Sequence, residues 1–386
     1  MLSKRITDHF LSSLDRLEYG SFELVTPDGK LRSFEGKKPG PLGKLHLHEW
    51  SVLSNMAAKG DIGLAEDYRA GLWETGNLED LLTLGLQNEQ IISRYMFGNP
   101  LSKIKSRLAY LMNMNTLKGS KKNIHAHYDL GNAFYELWLD KTMTYSSALF
   151  ITPQETLEQG QFNKYDRILN VLDAKKGDLL EIGCGWGGFA ERALSRPDLA
   201  VKGITLSQEQ YDYAQNRLNG KANIALEDYR HQQGLYDYIV SIEMFEAVGE
   251  KFWPVYFNKM ASLLKKDGKA VVQTITIHDN LFKKYREGGD AIRSFIFPGG
   301  MLPSPSRFKE EAAKAGLKAI NQFDFGLDYA ATLQSWLKTF DQKKPQIQAM
   351  GFDDGFIRLW RFYLASCIAG FRTGRANVMQ IELQHA

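Results

Sequence analysis

The sequence predicts a doubly wound α/β domain with a helical lid insertion, preceded by a smaller α+β unit. In the second part of the chain, strand-like apolar runs alternate with helix-like runs, and a glycine-rich loop joins the first of these strands to its helix. The N-terminal residues follow a different pattern. With 386 residues, the chain has room for two ordinary domains.

The smaller unit is predicted over residues 1–98. Residues 21–34 alternate around a Pro-Asp-Gly turn, which predicts a hairpin, and residues 44–53 alternate as a further strand. Residues 77–96 place Leu and Ile at helical spacing, with Asn77 as the predicted N-cap.

A basic linker is predicted over residues 99–122, which contain six basic residues and no acidic one. Two interpretations are open. The segment could meet anionic phospholipid, where each charge contributes about 1 kcal/mol. It could equally be a solvated face whose apolar stripe packs on a neighbouring element.

The third predicted region, residues 123–386, is Rossmann-like, with helices between successive buried strands. Its strands are predicted at residues 177–184, 199–206, 222–229, 236–245 and 269–277. Its helices are predicted at residues 188–196, 207–220 and 253–268. Residues 279–304 interrupt the alternation and are interpreted as a lid, with Lys283, Lys284, Arg286 and Arg293 near lipid headgroups; a plain surface insertion is the alternative.

Composition excludes several classes of protein. An apolar fraction of 44% allows a large core, and a net charge of +3 argues against a nucleic-acid partner. Two cysteines are too few for a disulfide framework and fit a reducing cytoplasm. No apolar stretch approaches the ~18–20 residues that cross a bilayer, and the N-terminus lacks a signal-peptide pattern. We therefore expect a cytoplasmic protein that meets membranes only at their inner face.

The glycine loop is the first chemical signal. Glu181 precedes Gly183, Gly185, Gly187 and Gly188, after a strand whose carboxyl end is where open α/β sheets bind ligands. The spacing matches neither the dinucleotide fingerprint nor the P-loop. An acid followed by these glycines resembles motif I of the S-adenosylmethionine (SAM) methyltransferases. Another nucleotide or a plain tight turn stays open as an alternative.

The next two strand ends supply the other predicted contacts of this ligand. Thr205, Ser207 and Gln210 are expected to bind ribose hydroxyls, because no acid stands at that strand end. Asp228 is expected to accept from an adenine amino group, and Tyr229 to flank the ring.

Seven motifs in order make a more specific resemblance. They are HYDLGNAFYELWLDKTMTYSSALF, LEIGCGWGGFA, GITLSQEQ, LEDYR, IVSIEMFEAVG, FIFPGGMLPS and DYAATLQSW. Together they resemble the cyclopropane fatty acid synthase family, which includes the mycolic acid methyltransferases. Residues 60–82 are similar to the accessory domain of the branch that acts on phospholipids. The resemblance covers nearly the whole chain.

The resemblance implies SAM-dependent methyl transfer to the cis double bond of an unsaturated phospholipid acyl chain at a membrane surface. It adds Tyr145, Ser146 and Leu206 to the expected SAM contacts. Methylation leaves a carbocation, which the aromatic faces of Tyr145, Phe245 and Tyr329 could stabilise, although each ring could equally be core packing. A homodimer is a further family-level expectation.

The family removes the final proton with a bound bicarbonate. The resemblance places Glu246 and Tyr329 in this bicarbonate site, both with catalytic roles. Ser147 stands where the family has cysteine, and Gln273 where it has histidine. Glutamine donates hydrogen bonds but takes up no proton near neutral pH, so the relay of protons is expected to be weaker. Ordinary cyclopropane formation, a methylene or methyl branch, and a non-functional anion site all remain open.

Two weaker candidates complete the set. Cys367 is retained as a catalytic candidate, although a buried structural thiol is the alternative. Glu243 could line the SAM pocket. His125 and His127 have metal-like spacing, but nothing completes a recognised zinc set, so no metal is predicted.

A small-molecule methyltransferase and a non-catalytic lipid-binding protein are the competing functions.

Overall fold

The structure is a computed structural model, and it describes residues 2–96, 115–116 and 130–386. These residues form two compact units. Residues 2–96, 283–298 and 336–375 belong to the first unit, and residues 115–116, 130–282, 299–335 and 376–386 to the second. Apart from residues 115–116, the predicted linker, together with His125 and His127, lies outside the described residues.

The first unit contains a four-stranded sheet in the order β2-β1-β3-β4. Its strands are β1 (Tyr19–Val25), β2 (Leu31–Glu35), β3 (Lys38–Leu47) and β4 (Trp73–Glu74). The predicted hairpin is confirmed, because β1 and β2 pair antiparallel across the Pro-Asp-Gly turn. Alternate residues of β1, including Phe22 and Leu24, are buried, as a strand with one face on a core requires. The predicted strand at residues 44–53 is confirmed only as far as Leu47.

Helices cover this sheet and extend the unit. They are Leu2–Leu14, Ser51–Lys59, Asp61–Arg69, Leu78–Gln87, Glu89–Met96, Ala291–Phe295, Lys344–Ala349 and Asp354–Arg372. Asn77 is the N-cap that the sequence predicts, since its side chain accepts from Asp80 N at 3.0 Å. The predicted helix breaks at the buried Asn88, whose side-chain oxygen accepts from Glu18 N and Tyr19 N at 2.9 and 3.1 Å.

The predicted lid is helical, as expected, with helices Asp279–Glu287 and Ala291–Phe295. Two of its cations have partners within the first unit, and the expected position of these cations near lipid headgroups stays a prediction. Lys284 pairs with Glu89, and Arg293 pairs with Asp290 and donates to the Tyr285 carbonyl at 2.8 Å. Both charges are thus neutralised inside the first unit. Contact with residues 2–96 explains why residues 283–298 and 336–375 do not group with the rest of the predicted region 123–386.

The second unit contains a seven-stranded sheet in the order β10-β11-β9-β8-β5-β6-β7. Its strands are β5 (Lys176–Ile182), β6 (Asp198–Thr205), β7 (Asn223–Leu226), β8 (Tyr236–Ile242), β9 (Leu264–Ile277), β10 (Leu317–Asp324) and β11 (Ala376–His385). Strands β5 to β9 pair in parallel, whereas β11 lies antiparallel between β9 and β10. The doubly wound prediction is confirmed.

Helices between the strands complete the second unit. They are Asn132–Glu136, Leu157–Val171, Gly188–Ala193, Gln208–Leu218, Trp253–Leu263 and Pro305–Lys314. Helices Asp279–Glu287 and Gly326–Gln342 each contribute residues to both units. Leu169, Leu179 and Phe189 belong to a buried cluster between β5 and its flanking helices, which fixes the strand beneath the glycine loop. Among the described residues, no helix has the length and apolar character needed to cross a membrane.

Candidate functional site

A cavity in the second unit opens at the carboxyl ends of β5, β6 and β8. Glu181, Thr205 and Glu243, each at or just after one of these strand ends, line it. In a doubly wound sheet, β5 and β8 flank the point where the strand order reverses, and ligands bind there. The cavity thus lies where the glycine loop predicts a ligand.

The glycines of the loop have different tasks. Gly183, Gly185 and Gly187 all have positive φ, at 83°, 51° and 84°, which glycine adopts without steric cost. Gly183 and Gly185 line the cavity, and a Cβ on Gly185 would meet nothing within 4 Å. Gly187 instead packs on helix Gln208–Leu218, where a Cβ would lie 3.2 Å from that of Ala214. Gly187 therefore shapes the turn rather than the cavity wall.

Glu181 is a buried carboxyl group on the wall of this cavity. Its Oε2 is buried and has no hydrogen-bond partner among the described residues. Burial raises the pKa of Glu181 well above its usual range, while Lys164 and the Ala190 N–H act in the opposite direction. A buried acceptor without a partner fits a ligand that brings a cationic donor, such as the ammonium group of SAM.

Of the residues at and after the end of β6 that were predicted to bind the ligand, some line the cavity and one does not. Thr205, Leu206 and Gln210 line the cavity, and Thr205 Oγ1 donates to Gln210 Oε1 at 2.9 Å. Ser207 was expected among these contacts but does not line the cavity, and its hydroxyl caps helix Gln208–Leu218 by accepting from Gln210 N. Ser207 therefore acts as an N-cap.

Asp228 has a partner within the chain that the sequence did not predict. The buried Asp228 carboxylate is held by Arg230, with Oδ1···Nε at 2.8 Å and Oδ2···Nη2 at 2.6 Å. Asp228 does not line the cavity, and its expected contact with adenine stays a prediction. Tyr229 does line the cavity, as predicted, and so does Glu227, which sequence reasoning missed although it precedes Asp228 in the same motif.

Residues 143–146 form another wall of the cavity. Tyr145 and Ser146 line it, as predicted, and Tyr145 packs against Tyr135 and Trp138 with ring centroids 5.5 and 5.6 Å apart. Ser146 Oγ accepts from Lys164 Nζ at 2.7 Å. Sequence reasoning missed Lys164, because a lysine within a helical run ordinarily faces solvent.

Lys164 is a fully buried cation on helix Leu157–Val171. Its Nζ also donates to Gln161 Oε1 at 2.5 Å. Burial lowers the pKa of Lys164 to about 7, and the carboxylates of Glu243, Asp140 and Glu181 oppose this shift. The ammonium thus provides positive charge to carboxylates on the cavity wall.

Glu243 is the most unusual residue of the site. It follows β8 with φ at +48°, a conformation that residues other than glycine rarely adopt. Its Oε1 accepts from Ser147 N at 2.8 Å and from Gln273 Nε2 at 2.7 Å. Burial raises the pKa of Glu243, while Lys164, these two donors and the Tyr329 hydroxyl lower it.

This arrangement bears directly on the predicted bicarbonate. Three of the four residues expected to hold that anion are Ser147, Gln273 and Tyr329. The Ser147 N–H, the Gln273 amide and the Tyr329 hydroxyl all bind the Glu243 carboxylate instead. The Ser147 hydroxyl donates to the Ala148 carbonyl at 2.8 Å. The residues present therefore do not fit a bicarbonate held by this donor set, because a carboxylate of the chain takes up its hydrogen bonds.

Glu246, predicted as the catalytic glutamate, is held by β9. Its Oε1 accepts from Thr274 Oγ1 at 2.9 Å and from Ile275 N. Burial, followed by the negative charge of Glu243, raises the pKa of Glu246 to about 8, so the group is mainly protonated at neutral pH. Glu246 does not line the cavity, whereas Glu243 does.

Two further candidates lie away from the cavity wall. Phe245 is fully buried and packs on Trp253, Tyr256, Phe257 and Phe308, so its ring belongs to the core. Cys367 belongs to the first unit, on helix Asp354–Arg372. Burial raises the pKa of the Cys367 thiol, which disfavours the thiolate that a nucleophile requires.

A possible cation-binding group occurs in the first unit. Ligand atoms of His46, His48 and Glu74, all exposed, lie within 4.8 Å of one another on β3, β4 and the residue after β3. Glu74 Oε1 also lies 3.4 Å from Arg358 Nη2. The prediction of no metal site stays a prediction.

The strand order, the glycine loop and the buried acid at the end of β5 define a SAM-dependent methyltransferase. The family model described as mycolic acid cyclopropane synthetase matches residues 115–381, and the chain belongs to this family.

Three related proteins illustrate the match. Tuberculostearic acid methyltransferase UfaA1 of Mycobacterium tuberculosis is 35% identical over 355 residues, covering 88% of this chain and 82% of the relative. Cyclopropane-fatty-acyl-phospholipid synthase of Escherichia coli K12 is 34% identical over 330 residues, covering 84% and 83%. The crystal structure of mycolic acid cyclopropane synthase CmaA1 complexed with SAH and CTAB aligns with a TM-score of 0.64 and 32% identity, covering 68% of this chain and 98% of that chain. These relatives support SAM-dependent modification of lipid acyl chains.

Proposed function

We propose that the chain transfers the methyl group of SAM to the cis double bond of an unsaturated phospholipid acyl chain at a membrane surface, and that it closes a cyclopropane ring. The observation that carries this proposal is the Glu243 carboxylate, which lines the same cavity as the glycine loop and Glu181. A proton acceptor next to the methyl donor is what the second half of this reaction needs.

The first step forms a carbon–carbon bond. The π electrons of the alkene attack the sulfonium methyl group, the carbon–sulfur bond breaks, and S-adenosylhomocysteine leaves. Because an alkene is a weak nucleophile, the rate depends on holding the two reactants in line. The contribution of this chain is the cradle of Gly183 and Gly185, with Glu181 placed to meet the ammonium group.

The second step removes a proton from the added methyl group. The electrons of that C–H bond close the ring onto the cationic carbon, and the proton goes to Glu243. Burial raises the pKa of Glu243 and makes its carboxylate a stronger base, while Lys164, Ser147 N and Gln273 favour its ionised form. Glu246, whose raised pKa leaves it mainly neutral, places no second negative charge beside it.

The test is transfer of the tritiated SAM methyl group to vesicles of dioleoyl phospholipid, with dipalmitoyl vesicles as the matched control that lacks double bonds. We expect label only in the unsaturated lipid. Ozonolysis of the product then separates a ring, which resists cleavage, from a methylene branch, which is cleaved. Label in a soluble metabolite, or none in lipid from a protein that binds SAM, would overturn the proposal. A branched product would retain the methyl transfer and reject ring closure.

A further inference from the structure

A chain of hydrogen bonds runs to Glu243 from Arg167 on helix Leu157–Val171, through a side chain on β11 and one on β9. Arg167 Nη1 donates to Gln380 Oε1 at 2.7 Å, Gln380 Nε2 donates to Gln273 Oε1 at 2.9 Å, and Gln273 Nε2 donates to Glu243 Oε1 at 2.7 Å. All four residues belong to the second unit. We call Arg167, Gln380 and Gln273 the amide relay.

The relay is set by the sheet. Gln273 on β9 and Gln380 on β11 are directly opposite each other in the antiparallel register. Both side chains are buried, with exposures of 0% and 1%. Arg167, on helix Leu157–Val171, lies with its guanidinium carbon 4.2 Å from the centre of the Phe323 ring. Buried amides at these positions therefore have few alternative partners.

The direction of the relay follows from the chemistry of arginine. A guanidinium has only donors, so Gln380 must present its oxygen to Arg167 and its NH₂ group to Gln273. Gln273 must then present its oxygen to Gln380 and its NH₂ group to Glu243. Either amide alone could turn over, but the arginine at the end removes that freedom.

From this geometry we propose that Arg167 and Gln380 are positioning residues, which fix the amide of Gln273 so that it always offers a donor to Glu243 and keeps that carboxylate ready to accept the proton. This inference rests on the proposed function of Glu243. It also gives a reason for glutamine at position 273: a neutral amide with a fixed orientation supports a carboxylate base of the chain, without a proton of its own to lose.

Other charged and titratable groups face Glu243, and the test must keep them constant. Lys164 faces it from helix Leu157–Val171, Tyr329 from helix Gly326–Gln342, and Glu246 from the segment that follows β8. None of these residues belongs to the amide relay, so variants of Arg167 and Gln380 leave them in place.

The decisive variant is Gln380→Glu, which keeps the shape of the side chain and its partner Arg167. A carboxylate at 380 accepts from Arg167 and can only accept from Gln273, so the Gln273 amide must turn and present its oxygen to Glu243. Loss of a hydrogen bond to the charged form should move the acid limb of the kcat–pH profile upward by about 1–2 pH units. Arg167→Met should move it in the same direction, and Arg167→Lys, which keeps a donor, should restore it.

Arg192→Met is the matched control. Arg192 pairs with Asp166 and lies 5.0 Å from the Phe162 ring centre, so the variant also removes an arginine from an aromatic face but leaves the relay intact. We expect its acid limb to stay in place. A readout independent of turnover is the infrared carboxyl band of Glu243, identified by its absence in Glu243→Gln. This band is followed as a function of pH, and the midpoint of its titration should move to higher pH in Gln380→Glu.

The outcomes separate the two claims. An unmoved acid limb and an unmoved carboxyl band in a folded, active Gln380→Glu protein would overturn the relay and leave the proposed function standing. Unchanged turnover in Glu243→Gln would overturn the base assignment on which the relay depends. If the acid limb of Arg192→Met moved as far as that of Arg167→Met, loss of the amide relay would not be the cause of the shift.

Discussion

The substitution Glu243→Gln tests the centre of the proposed chemistry. Glu243 Oε1 is the atom that accepts from both Ser147 N and Gln273 Nε2, and a glutamine keeps an oxygen there. The fold and the shape of the cavity should therefore persist, while the proton acceptor is lost.

The expected loss follows from what a positioned base contributes. General-base catalysis accounts for about 10²–10⁴ in rate, so kcat should fall by this factor, which corresponds to about 3–5 kcal/mol in the activation free energy. The assay is steady-state transfer of the labelled methyl group to dioleoyl phospholipid vesicles. SAM affinity, measured by calorimetry, should change little, because the glycine loop and Glu181 are untouched.

Glu246→Gln is the control for this variant. Because Glu246 is mainly protonated at neutral pH and its Oε1 accepts from Thr274 and Ile275, an amide reproduces its shape and both hydrogen bonds. We expect a much smaller loss of kcat. If Glu246→Gln abolished turnover while Glu243→Gln stayed active, the base would have been assigned to the wrong glutamate.

Three further predictions address neighbouring features. Lys164→Met removes the buried ammonium that stabilises ionised Glu243, so the acid limb of the kcat–pH profile should move to higher pH. Since the pKa of Lys164 is about 7, the difference in kcat from the unsubstituted protein should be largest below that pH. An unchanged kcat–pH profile would contradict this role of Lys164. Gly187→Ala forces a side chain into positive φ beside Ala214, and urea unfolding should show a free energy of unfolding lower by about 1–2 kcal/mol. Cys367→Ala should keep its turnover, because burial raises the pKa of this thiol; loss of turnover in a folded variant would restore the thiol as a catalytic candidate.

Patterns that depend on near neighbours in sequence were predicted well. The hairpin, the Asn77 cap and the strand–loop–helix around Gly183 follow from turn chemistry, capping and periodicity. The wall residues Glu181, Thr205 and Tyr229 were found because each lies near the carboxyl end of a predicted strand, and parallel strands end at one edge of the sheet. The local partners of Ser207 and Asp228, which are Gln210 N and Arg230, were not predicted, and the expected contacts of these two residues with a ligand stay predictions.

The sequence by itself determined the order of strands and helices, the glycine loop and, through its motifs, the family of this methyltransferase, because these signals are local or linear. Only the tertiary structure decided what the donors of Ser147, Gln273 and Tyr329 bind, since their partner Glu243 lies 96 and 30 residues from the first two along the chain. The same holds for Lys164, which folding buries, and for Gln380, which β-sheet register places opposite Gln273. Hydrogen-bond partners and desolvation depend on which elements meet in space, and a linear pattern does not contain that information.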